Sequence, residues 1–183
     1  RRLRTLAIFS LRRYARLMPA LLLMILFSTT VLPLIQSTNE SAKWTNATQM
    51  FDHWCRLQWP INVILAHNFF QTKQICFSHS WYVAVDFQLF LAFEFLVFIF
   101  NLNLSSTRPL TIVSIVVILS GQMIISIMTY AYDLPAIPLV PVKSAQSNLD
   151  FFKYIYIKPH HWSSSYFIGV LVAKLMIDHR LRI

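Results

Sequence analysis

Glycine is nearly absent from this chain, with two residues in 183. Loops that cradle phosphate rely on glycine to bring backbone N–H groups close, so the dinucleotide and P-loop signatures are excluded. The G-x-S-x-G elbow of serine hydrolases is missing too. Cysteine is as scarce: Cys55 and Cys76 are the only two, too few for a cysteine-rich zinc site or a disulfide-dense small fold. No histidine pair stands at metalloprotease spacing, and no metal site is expected. Charge is thin as well. Charged residues make up 13% of the chain against 56% hydrophobic, whereas soluble domains carry about 25% charged residues. A mean hydropathy of +0.54 completes the composition of a membrane protein.

The charge present is lopsided, with sixteen Lys and Arg against seven Asp and Glu. Six of the sixteen (Arg1, Arg2, Arg4, Arg12, Arg13 and Arg16) crowd the first sixteen positions and the rest are scattered. No basic face with interleaved aromatics exists, so nucleic acid is not an expected partner. Basic residues beside apolar runs are the positive-inside signal instead. The chain opens in mid-pattern without a secretory signal, which reads as a piece of a longer protein.

Four apolar stretches are expected to cross a bilayer: 17–35, 80–104, 110–131 and 162–178. The first is uncharged, with Pro19 and Pro33 near its ends, where a missing N–H does least damage. The third is uncharged too, and Gly121 beside Gln122 marks close helix packing. The fourth is short and carries Lys174, placed to snorkel to the inner side. The expected fold is an all-α polytopic transmembrane helical bundle of about four spans, part of a larger one.

Between the spans lie two outer loops, 36–79 and 132–161. The first holds the glycosylation sequons at Asn39 and Asn46 together with both cysteines. That combination reads as luminal or extracellular, with Cys55 bonded to Cys76; two free thiols are the alternative. The second is extended rather than helical because of Pro135, Pro138 and Pro141, with 151–157 at the interface. Both ends of the chain then fall in the cytoplasm, in an integral protein of the plasma membrane or an endomembrane. Lys43, Arg56, Lys73, Lys143, Lys153 and Lys158 lie on the outer side, in long loops that weigh little.

Chemistry concentrates between Cys76 and Glu94. Trp81 and Tyr82 suit the headgroup level. Asp86 and Glu94 follow inside an apolar run, where a central charge costs roughly 2.5–3.5 kcal/mol. Asp86 is a candidate to orient a base or bind a substrate hydroxyl, with Gln88 beside it; the competing role is an ion pair between helices. Glu94 reads first as a buried, packed carboxyl. His79, His160 and His161 sit at outer edges, where an imidazole titrates near neutrality, and solvation is the plainer reading for each. Arg13 and Arg16, three apart on one helix face, can grip phosphate through forked hydrogen bonds or anchor the helix at anionic lipid.

Four blocks of this chain resemble the nose-resistant-to-fluoxetine branch of the acyltransferase 3 superfamily. They are Arg13-Tyr14-Ala15-Arg16-Leu17-Met18-Pro19; Cys55, Trp59, Asn62 and Asn68-Phe69; Cys76 with His79-Ser80-Trp81-Tyr82 and Asp86-Phe87-Gln88-Leu89-Phe90; and Lys158-Pro159 with Tyr166 and Gly169. The third is the most specific. Departures are His160-His161-Trp162, where an Arg usually follows the Lys-Pro pair, Pro60 for a second Trp, and Ala173 in place of a glycine. The resemblance implies transfer of an acyl group from acyl-CoA to a hydroxyl acceptor, lipid or carbohydrate, with membrane lipid as surroundings and no bound cofactor. Arg13 and Arg16 would hold the donor's phosphates. Trp81, Tyr82, Asp86 and Gln88 would line the acceptor path, and Asp86 and His79 are the catalytic candidates. The resemblance would place the superfamily's early membrane histidine upstream of Arg1. A lipid or drug transporter on the same scaffold is the alternative.

Overall fold

Apolar runs free of glycine favour unbroken helices, because no residue supplies the backbone freedom that ends one cheaply. In the computed structural model, which describes residues 2–36, 42–70, 76, 78–100, 107–135 and 145–180, every regular element is helical. The order is α1 (Arg2–Gln36), α2 (Ala42–Val63), a 3₁₀ turn (Ser78–Ser80), α3 (Trp81–Ile99), α4 (Thr107–Ala131), α5 (Ala145–Phe151), a π turn (Phe152–Tyr156) and α6 (Pro159–Arg180). Asn39, residues 101–104, Pro138 and Pro141 lie outside the described residues.

Among the described residues three helices are long and apolar enough to cross a membrane: Leu3–Ile35 of α1, Trp81–Ile99 and Arg108–Ala131. Their outer faces are largely apolar. Leu23 (65%), Phe95 (62%) and Ile127 (61%) are among many large apolar side chains left open. A soluble monomer does not tolerate such continuous apolar surface, which calls for cover by lipid or by further helices. The fourth expected stretch, 162–178, does form a helix within α6, but α6 is not among the three. Serines at its start and Lys174 and Asp178 near its end dilute its apolar content.

The basic opening continues α1 without a break, so Pro19 is an interior residue of a 35-residue helix. Two stretches expected as loop are helical. The span 36–79 contains α2, which folds back along α1. Tyr14 donates from its hydroxyl to the Val63 carbonyl at 3.0 Å, and Arg56 donates to the Thr29 carbonyl at 2.9 Å, so the pair is antiparallel. The stretch 132–161 contains α5 and the π turn, because the prolines stop at Pro141 and leave 145–156 free to coil.

Scarce glycine shows at the helix ends. α2 closes with Leu65 N–H to Asn62 O at 3.0 Å and Ala66 N–H to Ile61 O at 3.2 Å, and Leu65 takes φ 55°. α4 closes the same way through Asp133 at φ 49°, with Leu134 N–H to Thr129 O at 3.0 Å. These are Schellman ends, whose left-handed position usually holds glycine. Aspartate tolerates that conformation; leucine does so at a cost of roughly 1–2 kcal/mol, offset here by full burial of its side chain.

Two compact units divide the chain, Arg1–Gln88 and Leu89–Ile183. The first has its core at Met18, Leu21, Ile25, Cys55, Leu65, Cys76 and Ala84, and the Cys55–Cys76 disulfide is part of it. In the second, α4 packs on α6. Gln122 donates to Ser164 Oγ at 3.0 Å, and Ser163 donates to the His160 carbonyl at 2.8 Å. Gly121 permits the approach: a Cβ there would lie 2.5 Å from Ser163 Oγ and 3.3 Å from the His160 carbonyl oxygen. Gly121→Ala is therefore expected to cost about 1–3 kcal/mol by overpacking, read as a lower melting temperature. Gly169→Ala, inside α6, meets nothing within 4 Å and is expected to raise it slightly, since alanine is favoured over glycine in a helix by about 0.5–1 kcal/mol.

Candidate functional site

The left-handed residue at Leu65 turns the chain so that the segment after α2 faces the start of α3. Its carbonyl accepts from Gln88 Nε2 at 2.7 Å. Gln88 also exchanges two bonds with Asn68: Nε2 donates to Asn68 Oδ1 at 2.7 Å, and Asn68 Nδ2 donates to Gln88 Oε1 at 3.0 Å. Paired amides of this kind satisfy both ends of both groups. Gln88 thus ties the turn to α3.

Two turns earlier, Ser80 Oγ lies 3.0 Å from His67 Nε2 and 3.4 Å from Asn62 Oδ1. Asn62, His67, Asn68 and Ser80 are all buried. The hydroxyl has one hydrogen, so the His67 tautomer decides which neighbour receives it. Burial pulls the His67 pKa from 6.5 down to about 4, opposed in part by a backbone hydrogen bond at Ser80. The imidazole is therefore neutral at pH 7. The hydroxyl–imidazole contact ties the start of α3 to the turn after α2.

Arg13 and Asp86 meet. One guanidinium nitrogen, Nη2, donates to both carboxylate oxygens at 2.8 Å, with side chains 35% and 23% exposed. Tyr14 packs its ring on Phe87 at 5.8 Å alongside. The positive-inside pattern places Arg13 at the inner face and Asp86 just inside the outer one. The ion pair puts them at one level, and the cause is α2. With the uncharged stretch 17–35 in hydrocarbon, α2 carries the chain back to the Arg13 end, so the turn after Val63, Ser80 and Asp86 lie at that end. Arg12 and Arg16 are exposed on the same helix.

The other candidates are spread out. His79 and Tyr82 are exposed, and Trp81 is half-buried with its ring edge on Tyr82. His160 and His161 are half-buried at the start of α6, and burial lowers both pKa values, helped at His160 by His161 and Lys158. His161 sits edge-on to Trp162 and Phe151. Glu94 and Lys174 are buried. Asn46 falls within α2. Among the described residues no group of His, Cys, Asp and Glu assembles a metal site.

Sequence reasoning did not single out His67. A signal was there: Asn62, His67 and Asn68 are polar residues embedded in the apolar run Ile61–Phe70, and such residues need partners once buried.

No family model matches the chain, and no solved structure matches it. The chain is 26% identical over 169 residues to nose resistant to fluoxetine protein 6 of Caenorhabditis elegans, an alignment covering 90% of this chain and 20% of that protein. The chain thus spans about a fifth of the length of the relative it matches, and the likeness, with the three apolar helices, is that of an integral membrane protein.

Proposed function

We propose that this chain is part of a membrane-embedded acyltransferase that moves an acyl group from acyl-CoA to a hydroxyl acceptor, with Arg13 and Arg16 holding the donor's phosphates. The observation that carries this reading is the Arg13 guanidinium, held in place by Asp86 at the basic end of α1 with Arg12 and Arg16 exposed on that helix. A cation oriented in advance loses less freedom when it takes up a phosphate. Asp86 then acts first as the positioning partner of Arg13, and the acceptor path follows Trp81, Tyr82 and Gln88. The relative's name supports the family resemblance.

Labelled acyl-CoA incubated with the full-length protein in membranes tests the proposal. Acylated product is expected, and Arg16→Ala is expected to raise the KM for acyl-CoA about tenfold while the protein stays folded. Formation of no product, or an unchanged KM, overturns it.

A second reading, a lipid or drug transporter on the same scaffold, is favoured by the disulfide. Cys55 and Cys76 pack with Met18 and Leu21, one to two turns from Arg13, and a disulfide belongs to an oxidising compartment. That placement suits a substrate path better than a site for a cytosolic thioester. Under this reading labelled lipid crosses proteoliposome membranes and no acyl group is transferred.

A further inference from the structure

Pro159 interrupts an otherwise helical run. It has no N–H to donate and disfavours helix at Lys158, so the π turn closes at Tyr156 and α6 starts afresh. Ile157 N–H to Phe152 O at 3.2 Å, Lys158 N–H to Ile155 O at 3.1 Å and His161 N–H to Lys158 O at 3.2 Å hold the bend. The bend lies beside the middle of α4, where Gly121 lets the His160 carbonyl approach.

Two imidazoles stand at this bend, and each has one buried ring nitrogen without a partner: His160 Nε2 and His161 Nδ1. The His160 ring hydrogen-bonds to the backbone at Tyr154. Because Nε2 is the unpartnered atom, Nδ1 makes that bond, and an Nδ1–H given to a carbonyl leaves the lone pair on Nε2. His161 is set differently, among the rings of Trp162 at 5.0 Å, Tyr156 at 6.2 Å and Phe151 at 6.5 Å. As whole residues both histidines are half-buried, so solvent is near the covered nitrogens.

A proton added at His160 Nε2 creates a buried N–H with no acceptor and a buried charge where a neutral ring stood. The ionisable groups acting on it are His161 and Lys158, which add charge of the same sign. The elements packed around it bring Tyr154, Tyr156 and Lys153 from the π turn and Asp150 from α5. α3, which meets α6 at Phe93, brings Glu94, and α4 has no titratable residue from Pro109 to Thr129.

We infer that His160 is a proton-binding site whose protonation opens the bend between the π turn and α6. The new N–H is solvated most directly by moving the ring the rest of the way into water. Nδ1 ties that ring to Tyr154, so the π turn moves with it. The Trp162 indole, which donates to the Tyr156 carbonyl at 2.7 Å, is a second tie across the bend and parts on opening. The inference rests on packing within the second unit and not on acyl transfer.

Hydrogen exchange of the full-length protein, read by mass spectrometry over residues 152–162 and corrected for the intrinsic pH dependence of exchange, tests it. Exchange there is expected to rise about tenfold from about pH 8 to about pH 5, where imidazoles titrate, while the amides of α4 stay protected. His160→Asn offers an N–H to the Tyr154 carbonyl where Nδ1 stood but does not titrate, and it should remove the rise. His161→Phe and His67→Gln should keep it. Exchange that stays flat with pH overturns the inference, as does a rise that survives in His160→Asn or vanishes in His161→Phe or His67→Gln. A rise shared equally by α4 would be general unfolding and overturn it too. Should His160→Asn fail to fold, nitrogen-15 shifts of His160 in the native protein decide: Nε2 must gain its proton over the range in which exchange rises, and a ring that stays neutral there refutes the site.

Discussion

Replacing Cys55 and Cys76 together by alanine is expected to lower the stability of the first unit by roughly 3 kcal/mol. The bond joins residues 21 positions apart, and closing a loop of that size removes roughly 3 kcal/mol worth of chain entropy from the unfolded state. It links the third quarter of α2 to the segment just before the 3₁₀ turn, with both sulfurs buried beside Met18, Leu21 and Ala84. Loss of the bond therefore loosens the turn that carries His67, Asn68 and Ser80. Melting of the full-length protein with and without reductant reads the effect. The double variant should melt well below the oxidised protein and be insensitive to reductant. Equal melting temperatures for oxidised protein, reduced protein and variant would refute a structural role for the bond.

Acidification is expected to cost the fold a comparable amount through His67. Its pKa is about 4 in the folded protein against 6.5 ordinarily. The unfolded chain thus binds this proton first, and stability that is complete above pH 6.5 is lost progressively between 6.5 and 4. A gap of roughly 2.5 pKa units at about 1.36 kcal/mol each gives a loss of roughly 3 kcal/mol near pH 4. His67→Gln keeps a polar group near Ser80 but does not titrate, so its melting temperature should change less over that window than the native protein's. The difference between the two profiles isolates His67 from the other groups of the protein. Parallel profiles would show that the histidine is as well solvated folded as unfolded.

These two effects fall on the same turn, yet they differ in how far the sequence discloses them. Two lone cysteines in a stretch with sequons already point to a bond, because a pair in an oxidising space has one connectivity. His67 carries no comparable mark. A histidine among Ala66, Asn68 and Phe69 looks like any loop residue until Ser80, thirteen positions on, is found 3.0 Å away. The Arg13–Asp86 pair was hidden for the same reason, with 73 positions between its members. Each residue stood out as a charge beside an apolar run, but which face of the bilayer each belongs to depended on α2. That helix is polar enough, with Lys43, Asp52, His53 and Arg56, to read as loop, and its low apolar content keeps it out of any hydropathy criterion for a span. Packing against α1 makes it a helix, since propensity is a weak prior beside burial.

Composition and periodicity determined that this protein is helical and meant for lipid. Uncharged runs of about twenty residues have few other stable homes, because backbone hydrogen bonds in hydrocarbon must close within the segment. Tertiary structure alone decided which polar groups share a site. Folding α2 back along α1 moved Asn62, His67 and Asp86 to the Arg13 end, and burial then required these polar groups to find partners near in space and distant along the chain.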